Sequence, residues 1–195
     1  MKTVFFDIDT QIDFLYPAGA LYVPGAERLL PQFAELNRFA EQQGITVIST
    51  TDAHAENDPE FKRWPAHCVA GTAGQHKPES TLLAKRTVVP TTPGKYDVSG
   101  AQQIIIEKQE LDAFTNPNLR PLLDELAADR YVVYGVVTEF CVRCVAMGLL
   151  RTGKRVEIVS DAIETLDEDH ASRTLGEFTS ARGKLTTVDE VLGRE

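Results

Sequence analysis

Short apolar runs that each close on an ionisable residue constrain what this chain can become. Thr3-Val-Phe-Phe-Asp-Ile8 leads to Asp9, Gln103-Ile-Ile-Ile-Glu107 to Lys108, and Tyr131-Val-Val-Tyr-Gly-Val-Val137 to Cys141. Runs this short and apolar, separated by helical stretches, read as buried strands of a parallel sheet. In open α/β sheets, ligands bind outside the carboxyl ends of the strands. A carboxylate, an ammonium and a thiol meeting there have the make-up of a nucleophilic hydrolase site.

The alternation continues along the chain. A helix is predicted from about Ala26 to Gln43, with Leu29, Phe33, Leu36 and Ala40 at helical spacing and Gly44 placed to end it. Ile45 to Thr50 follows as a strand running into Asp52 and His54. Helices are expected over Asn118–Ala128, after Cys141, and over Glu168–Ala181. Arg155 to Ser160 reads as a strand, and Lys184 to Leu192 as a closing strand and helix. Residues 55–100 break the rhythm with five prolines and three glycines before Gly100. That stretch is read as a loop-rich insertion covering the site. The expectation is one doubly wound α/β domain over residues 1–195, a mostly parallel sheet with helices on both faces.

Charge and cysteine count exclude several classes. A net charge of −9 argues against a phosphate-tracking surface, so no nucleic-acid partner is expected. No apolar run reaches the length of a membrane span, and the start lacks the pattern of a secretory signal. Three cysteines are too few for a disulfide scaffold, which fits a reducing cytoplasm.

Cys141 falls where a strand turns into a helix. The unsatisfied N–H groups of a first helical turn lower a thiol pKa and can bind an oxyanion. Taken alone, a free cysteine is more often a small buried hydrophobe. Cys141-Val-Arg-Cys144 also admits a redox reading, although thioredoxin-like domains carry that motif near their start. Asp7 and Asp9, two apart on a strand, should share a face. That pair resembles the opening of haloacid-dehalogenase-type phosphatases, but Gln11 stands where such a chain has Thr or Val. Lys108 beside Cys141 would stabilise a thiolate. Asp52, His54 and His67, with Glu60 between the histidines, form a donor set suited to zinc, iron or manganese.

Asp9-Thr-Gln-Ile-Asp-Phe14, Asp52-Ala-His54, Trp64-Pro-Ala-His-Cys-Val-Ala-Gly-Thr-Ala-Gly74, Lys108 and Gly135-Val-Val-Thr-Glu-Phe-Cys-Val142 occur in this order. Together they resemble the isochorismatase-like cysteine hydrolases, within them the nicotinamidase/pyrazinamidase branch. The resemblance implies Cys141 as nucleophile, Asp9 as general base and Lys108 as partner of the thiolate. It implies Asp52, His54 and His67 as metal ligands, with Glu60 at a position that varies in the family. It also implies a cis peptide between Val136 and Val137, and an oxyanion hole from the Val137 and Cys141 N–H groups. Phe14, Trp64 and Phe140 would line the substrate pocket, and Phe114 would stand in for an aromatic wall near Thr115. The implied activity is hydrolysis of a small amide, nicotinamide first, with another amide or ureido compound as the alternative. Members are often dimers or larger.

Overall fold

In the computed structural model, which describes residues 1–194, the apolar runs become the strands of one sheet. The elements follow in order: β1 (Thr3–Ile8), α1 (Ile12–Leu15), α2 (Leu30–Gln42), β2 (Thr46–Asp52), β3 (Arg86–Val89) and β4 (Gln103–Lys108). The second half adds α3 (Leu119–Leu126), β5 (Arg130–Val136), α4 (Arg143–Leu150), β6 (Arg155–Glu164), α5 (Glu168–Ser180), β7 (Lys184–Thr186) and α6 (Val188–Leu192). All neighbouring strands pair in parallel, in the order β3-β4-β2-β1-β5-β6-β7. The strands that follow β1 as far as β4 lie on one side of it, with β3 at the edge and β4 between β3 and β2, and β5 to β7 lie on the other. The crevice between the ends of β1 and β5 is therefore the topological switch point.

Strand alternation explains why both faces are covered. Val4, Phe6 and Ile8 face one core with Leu119 and Leu122 of α3, Val145 and Leu149 of α4, and Phe178 of α5. Phe5 faces the other core with Phe33 and Leu36 of α2 and Val188 and Val191 of α6. Each such buried side chain contributes on the order of 1.5–3 kcal/mol relative to exposure. Gly44 ends α2 with φ +65°, a left-handed conformation that glycine adopts without a Cβ clash. Thr187 caps α6 by accepting from the Glu190 N–H (3.2 Å). Among the described residues no helix is long and apolar enough to cross a membrane.

Two details of the elements go beyond the expectations. Within the loop-rich residues 55–100, Arg86–Val89 forms the edge strand β3, paired with β4. The run is only four residues long and partly exposed, so its apolar signal was too weak to read. The strand expected over Arg155–Ser160 extends to Glu164, with the pairing to β5 skipping from Ile158 to Ile163. That irregularity accompanies Gly135, whose φ is +122°. A Cβ there would lie 2.1 Å from the Ile8 carbonyl oxygen and 2.7 Å from its nitrogen, both backbone atoms. Gly135→Ala should therefore push β1 from β5 directly beneath the site. Backbone strain and overpacking together predict a loss of about 3 kcal/mol, read as a fall in melting temperature of roughly 6–12 °C.

Candidate active site

Register brings the ionisable groups together. In the β2–β4 pairing Asp52 stands opposite Lys108. Asp9 follows the end of β1, the central strand next to β2, and Cys141 follows β5 on its other side. The Lys108 ammonium lies 2.9 Å from Asp9 Oδ2 and 3.6 Å from Cys141 Sγ, and it also donates to Asp52 Oδ1. All four side chains are buried. Sequence spacing placed Asp9, Lys108 and Cys141 at strand ends, and the structure makes them one cluster.

Asp7 does not belong to it. The same-face expectation assumed that the strand continues through Asp9, but Asp9 has φ +48° and lies beyond β1. Asp7 instead pairs with Lys77 (2.9 Å) and accepts from Thr10 (2.7 Å), Asn37 (3.0 Å) and Ser49 (3.2 Å). Asp9 is turned toward Lys108 and fixed by Thr50. The Thr50 hydroxyl donates to Asp9 Oδ1 (2.6 Å), while the Asp9 N–H donates to the Thr50 carbonyl (3.1 Å). Oδ2 is left facing the ammonium.

Electrostatics reverse the expected state of the thiol. A helix N-terminus would lower its pKa, yet burial pushes the Cys141 thiol well up, and the Asp9 carboxylate adds to this against the opposing pull of Lys108. The turn at Cys141 is a single wide one, Thr138–Val142, closed by the Val142 N–H on the Val137 carbonyl (3.2 Å); α4 begins only at Arg143. Burial also raises Asp9, opposed by Lys108. Burial works against ionised Asp52, but Lys108 and His54 outweigh it and hold this carboxyl low. Lys108 is likewise held well above the usual lysine range, because Asp52 and Asp9 overcome the cost of burial. A thiol pushed up in this way would need a base to ionise, and Asp9 is the carboxylate placed beside it.

The second cluster adjoins the first through Asp52. One ligand atom each from Asp52, His54 and His67 lies within 4.8 Å of the others. His54 Nδ1 is held by Asp58 (3.1 Å) and His67 Nδ1 by the Pro65 carbonyl (2.8 Å). Each ring thus presents Nε2 toward Asp52, at 3.8 Å in both cases. His54 Nε2 is buried with no hydrogen-bond partner. An orphaned imidazole nitrogen whose other nitrogen is anchored is the usual arrangement of a metal-ligating histidine. The residues present therefore fit a divalent ion. Glu60 lines the adjoining cavity but stands outside this three-residue cluster.

The cavity is narrow, about 30 Å³ in volume. Phe14, Trp64 and Phe140 line it, with the Trp64 and Phe140 rings edge to face at 5.7 Å. The peptide between Val136 and Val137 is cis, and Val136, Val137 and Cys141 all border the cavity. Phe114 does not: it packs between Gly148 and the Arg120 guanidinium, away from the pocket, and Leu111 lines the wall on that side. Leu21, Val23, Leu111 and Leu166 were missed because isolated leucines and valines in loops carry no sequence signal. Gln11 was legible only as part of its motif. Its amide accepts from the Asp52 N–H (2.7 Å) and donates to the Asp52 carbonyl (2.8 Å), holding that strand end in place.

Comparison with known proteins finds relatives along most of the chain. The nicotinamidase of Acinetobacter baylyi is 25% identical over 192 residues, spanning 82% of this chain and 80% of its own. The maleamate amidohydrolase of Pseudomonas putida is 24% identical, spanning 98% and 85%. The structure of the pyrazinamidase of Pyrococcus horikoshii in complex with zinc superposes with a TM-score of 0.79 at 27% identity, over 96% of this chain and 99% of that one. Residues 3–190 match the isochorismatase domain, nearly the whole chain, and the protein belongs to that family.

Proposed function

We propose that this protein is a cysteine amidohydrolase that converts nicotinamide to nicotinate and ammonia. The observation that carries the reading is one buried ammonium, Lys108, within 2.9 Å of the Asp9 carboxylate and 3.6 Å of the Cys141 thiol, at the base of an aromatic-walled cavity. Asp9 Oδ2 takes the thiol proton, and Cys141 Sγ attacks the amide carbon as Lys108 offsets the new charge. The Val137 and Cys141 N–H groups receive the oxyanion. Asp9 returns the proton to the departing ammonia, leaving a thioester. Asp9 then deprotonates the water that hydrolyses it to the acid. Phe14, Trp64 and Phe140 hold the flat ring.

Asp52, His54 and His67 would hold the divalent ion, with Glu60 close by. When bound, such an ion supplies a Lewis-acidic point that orients a donor atom of the substrate. Of the metals that this donor set suits, zinc is favoured by the zinc complex of the Pyrococcus horikoshii relative. Purified protein should carry about one zinc per chain, and His54→Ala should lose it. Metal analysis and the zinc dependence of the melting temperature check this: zinc should stabilise the parent chain and not the variant.

Thr50 is expected to act through Asp9. Thr50→Val should lower kcat by about tenfold or more with KM little changed, whereas Thr50→Ser retains the hydroxyl and most of the rate. Equal losses in both variants would remove Thr50 from the mechanism. The reading as a whole is tested by ammonia release from nicotinamide with a metal assay on the same preparation. Release supports it; failure to hydrolyse nicotinamide in the metal-loaded protein would overturn that substrate.

A further inference from the structure

The cavity is lined unevenly with depth. Asp9, Asp52, His67 and Cys141 are buried at its base, and Glu60 is half-buried. Leu111 and Leu166 stand at its mouth, 37% and 42% exposed. They are two of the five large hydrophobic residues exposed among the described ones, and they come from loops after different strands, β4 and β6. Leu166 is held there: Glu139, two residues before Cys141, accepts from the Leu166 N–H (3.0 Å), the Asp167 N–H (3.1 Å) and the Thr165 hydroxyl (2.7 Å). The loop carrying it is anchored to the nucleophile's own turn. Among the described residues no lysine or arginine lines the cavity, and Lys108 is enclosed beneath it by two carboxylates.

We propose that Leu111 and Leu166 are specificity-determining residues that restrict the site to amides with an uncharged, apolar body. This rests on the amidohydrolase reading. With the amide carbon at Cys141, the body of the substrate points toward the mouth, where the two leucines join Trp64 and Phe140 in the lining. An apolar substituent there leaves water for a matching surface. A carboxylate there is desolvated at an apolar rim with no lysine or arginine to receive it and with Glu60 nearby, so it is rejected. The rim therefore separates this chain from amidases whose substrates, like maleamate, carry an acid group.

The test compares kcat/KM for benzamide bearing either a methyl or a carboxylate at the same meta position, with nicotinamide and maleamate beside them. The methyl compound should lie within about tenfold of benzamide, and 3-carbamoylbenzoate about 100-fold or more below it. Leu111→Arg or Leu166→Arg, both at exposed positions, should narrow that gap by about tenfold by giving the carboxylate a partner. Hydrolysis of 3-carbamoylbenzoate or maleamate as readily as the neutral amides would overturn the proposal while leaving the amidohydrolase reading intact. An unchanged ratio in well-folded arginine variants would do the same. Hydrolysis of none of these amides would overturn both.

Discussion

Cys141→Ala is expected to release no measurable ammonia from any amide that the parent chain hydrolyses, a loss of at least about 10⁴-fold. The size follows from the arrangement around the sulfur. Asp9 and Lys108 both face the sulfur, and without it no thioester can form. Stability should move little, within about 1 kcal/mol, because alanine removes one buried atom while leaving Asp9, Lys108 and Asp52 in contact. The discriminating pair of measurements is therefore turnover and melting temperature. Lost turnover with a melting point within about 4 °C of the parent assigns Cys141 to the chemistry. Cys144→Ala, half-buried one turn further on, should keep its activity. Retained hydrolysis in Cys141→Ala would sink the thiol mechanism.

Lys108→Met should be costly in both respects. The ammonium is the shared partner of two buried carboxylates, Asp9 and Asp52, and is itself inaccessible to water. Methionine fills the volume and leaves the two acids facing each other without a cation. Removing one partner from a buried ionic cluster costs about 3–5 kcal/mol, which for a domain of this size is a fall of roughly 6–20 °C. One acid will escape the repulsion by taking up a proton. If that acid is Asp9, the base is gone, and turnover should drop by about 10³-fold or more even in the fraction that remains folded. Urea unfolding monitored by circular dichroism measures the first effect, and turnover per folded molecule the second. A variant as stable as the parent would show that the three charges do not depend on one another.

Parts of this site could be read from the chain because they obey local rules. Asp9, Lys108 and Cys141 each follow a run of apolar residues, and strand ends in a parallel sheet converge at one edge. Asp52, His54 and His67 stood out by residue type, and the structure brings their donor atoms within 4.8 Å of one another. Other parts obeyed no local rule. Asp7 and Asp9 were expected together by strand period, but the positive φ at Asp9 turns its carboxylate to Lys108 while Asp7 joins Lys77. The Cys141 thiol was expected low because a helix start acts within a few residues; it is pushed high because burial and Asp9, 132 positions away in sequence, dominate. Phe114 had the right chemistry for a pocket wall, yet Gly148 leaves space that its ring occupies instead.

From the sequence by itself follow the doubly wound α/β architecture, the strand ends at which function collects, and the residue types able to act there. These depend on periodicity and composition over short windows, which a single chain displays openly. Only the tertiary structure decided which carboxylate faces the lysine, that burial pushes the thiol up, that Thr50 fixes Asp9, and that Leu111 and Leu166 stand at the mouth. Each of these depends on the register between strands distant in sequence and on how much water the packed groups exclude, and neither quantity exists until the sheet has formed.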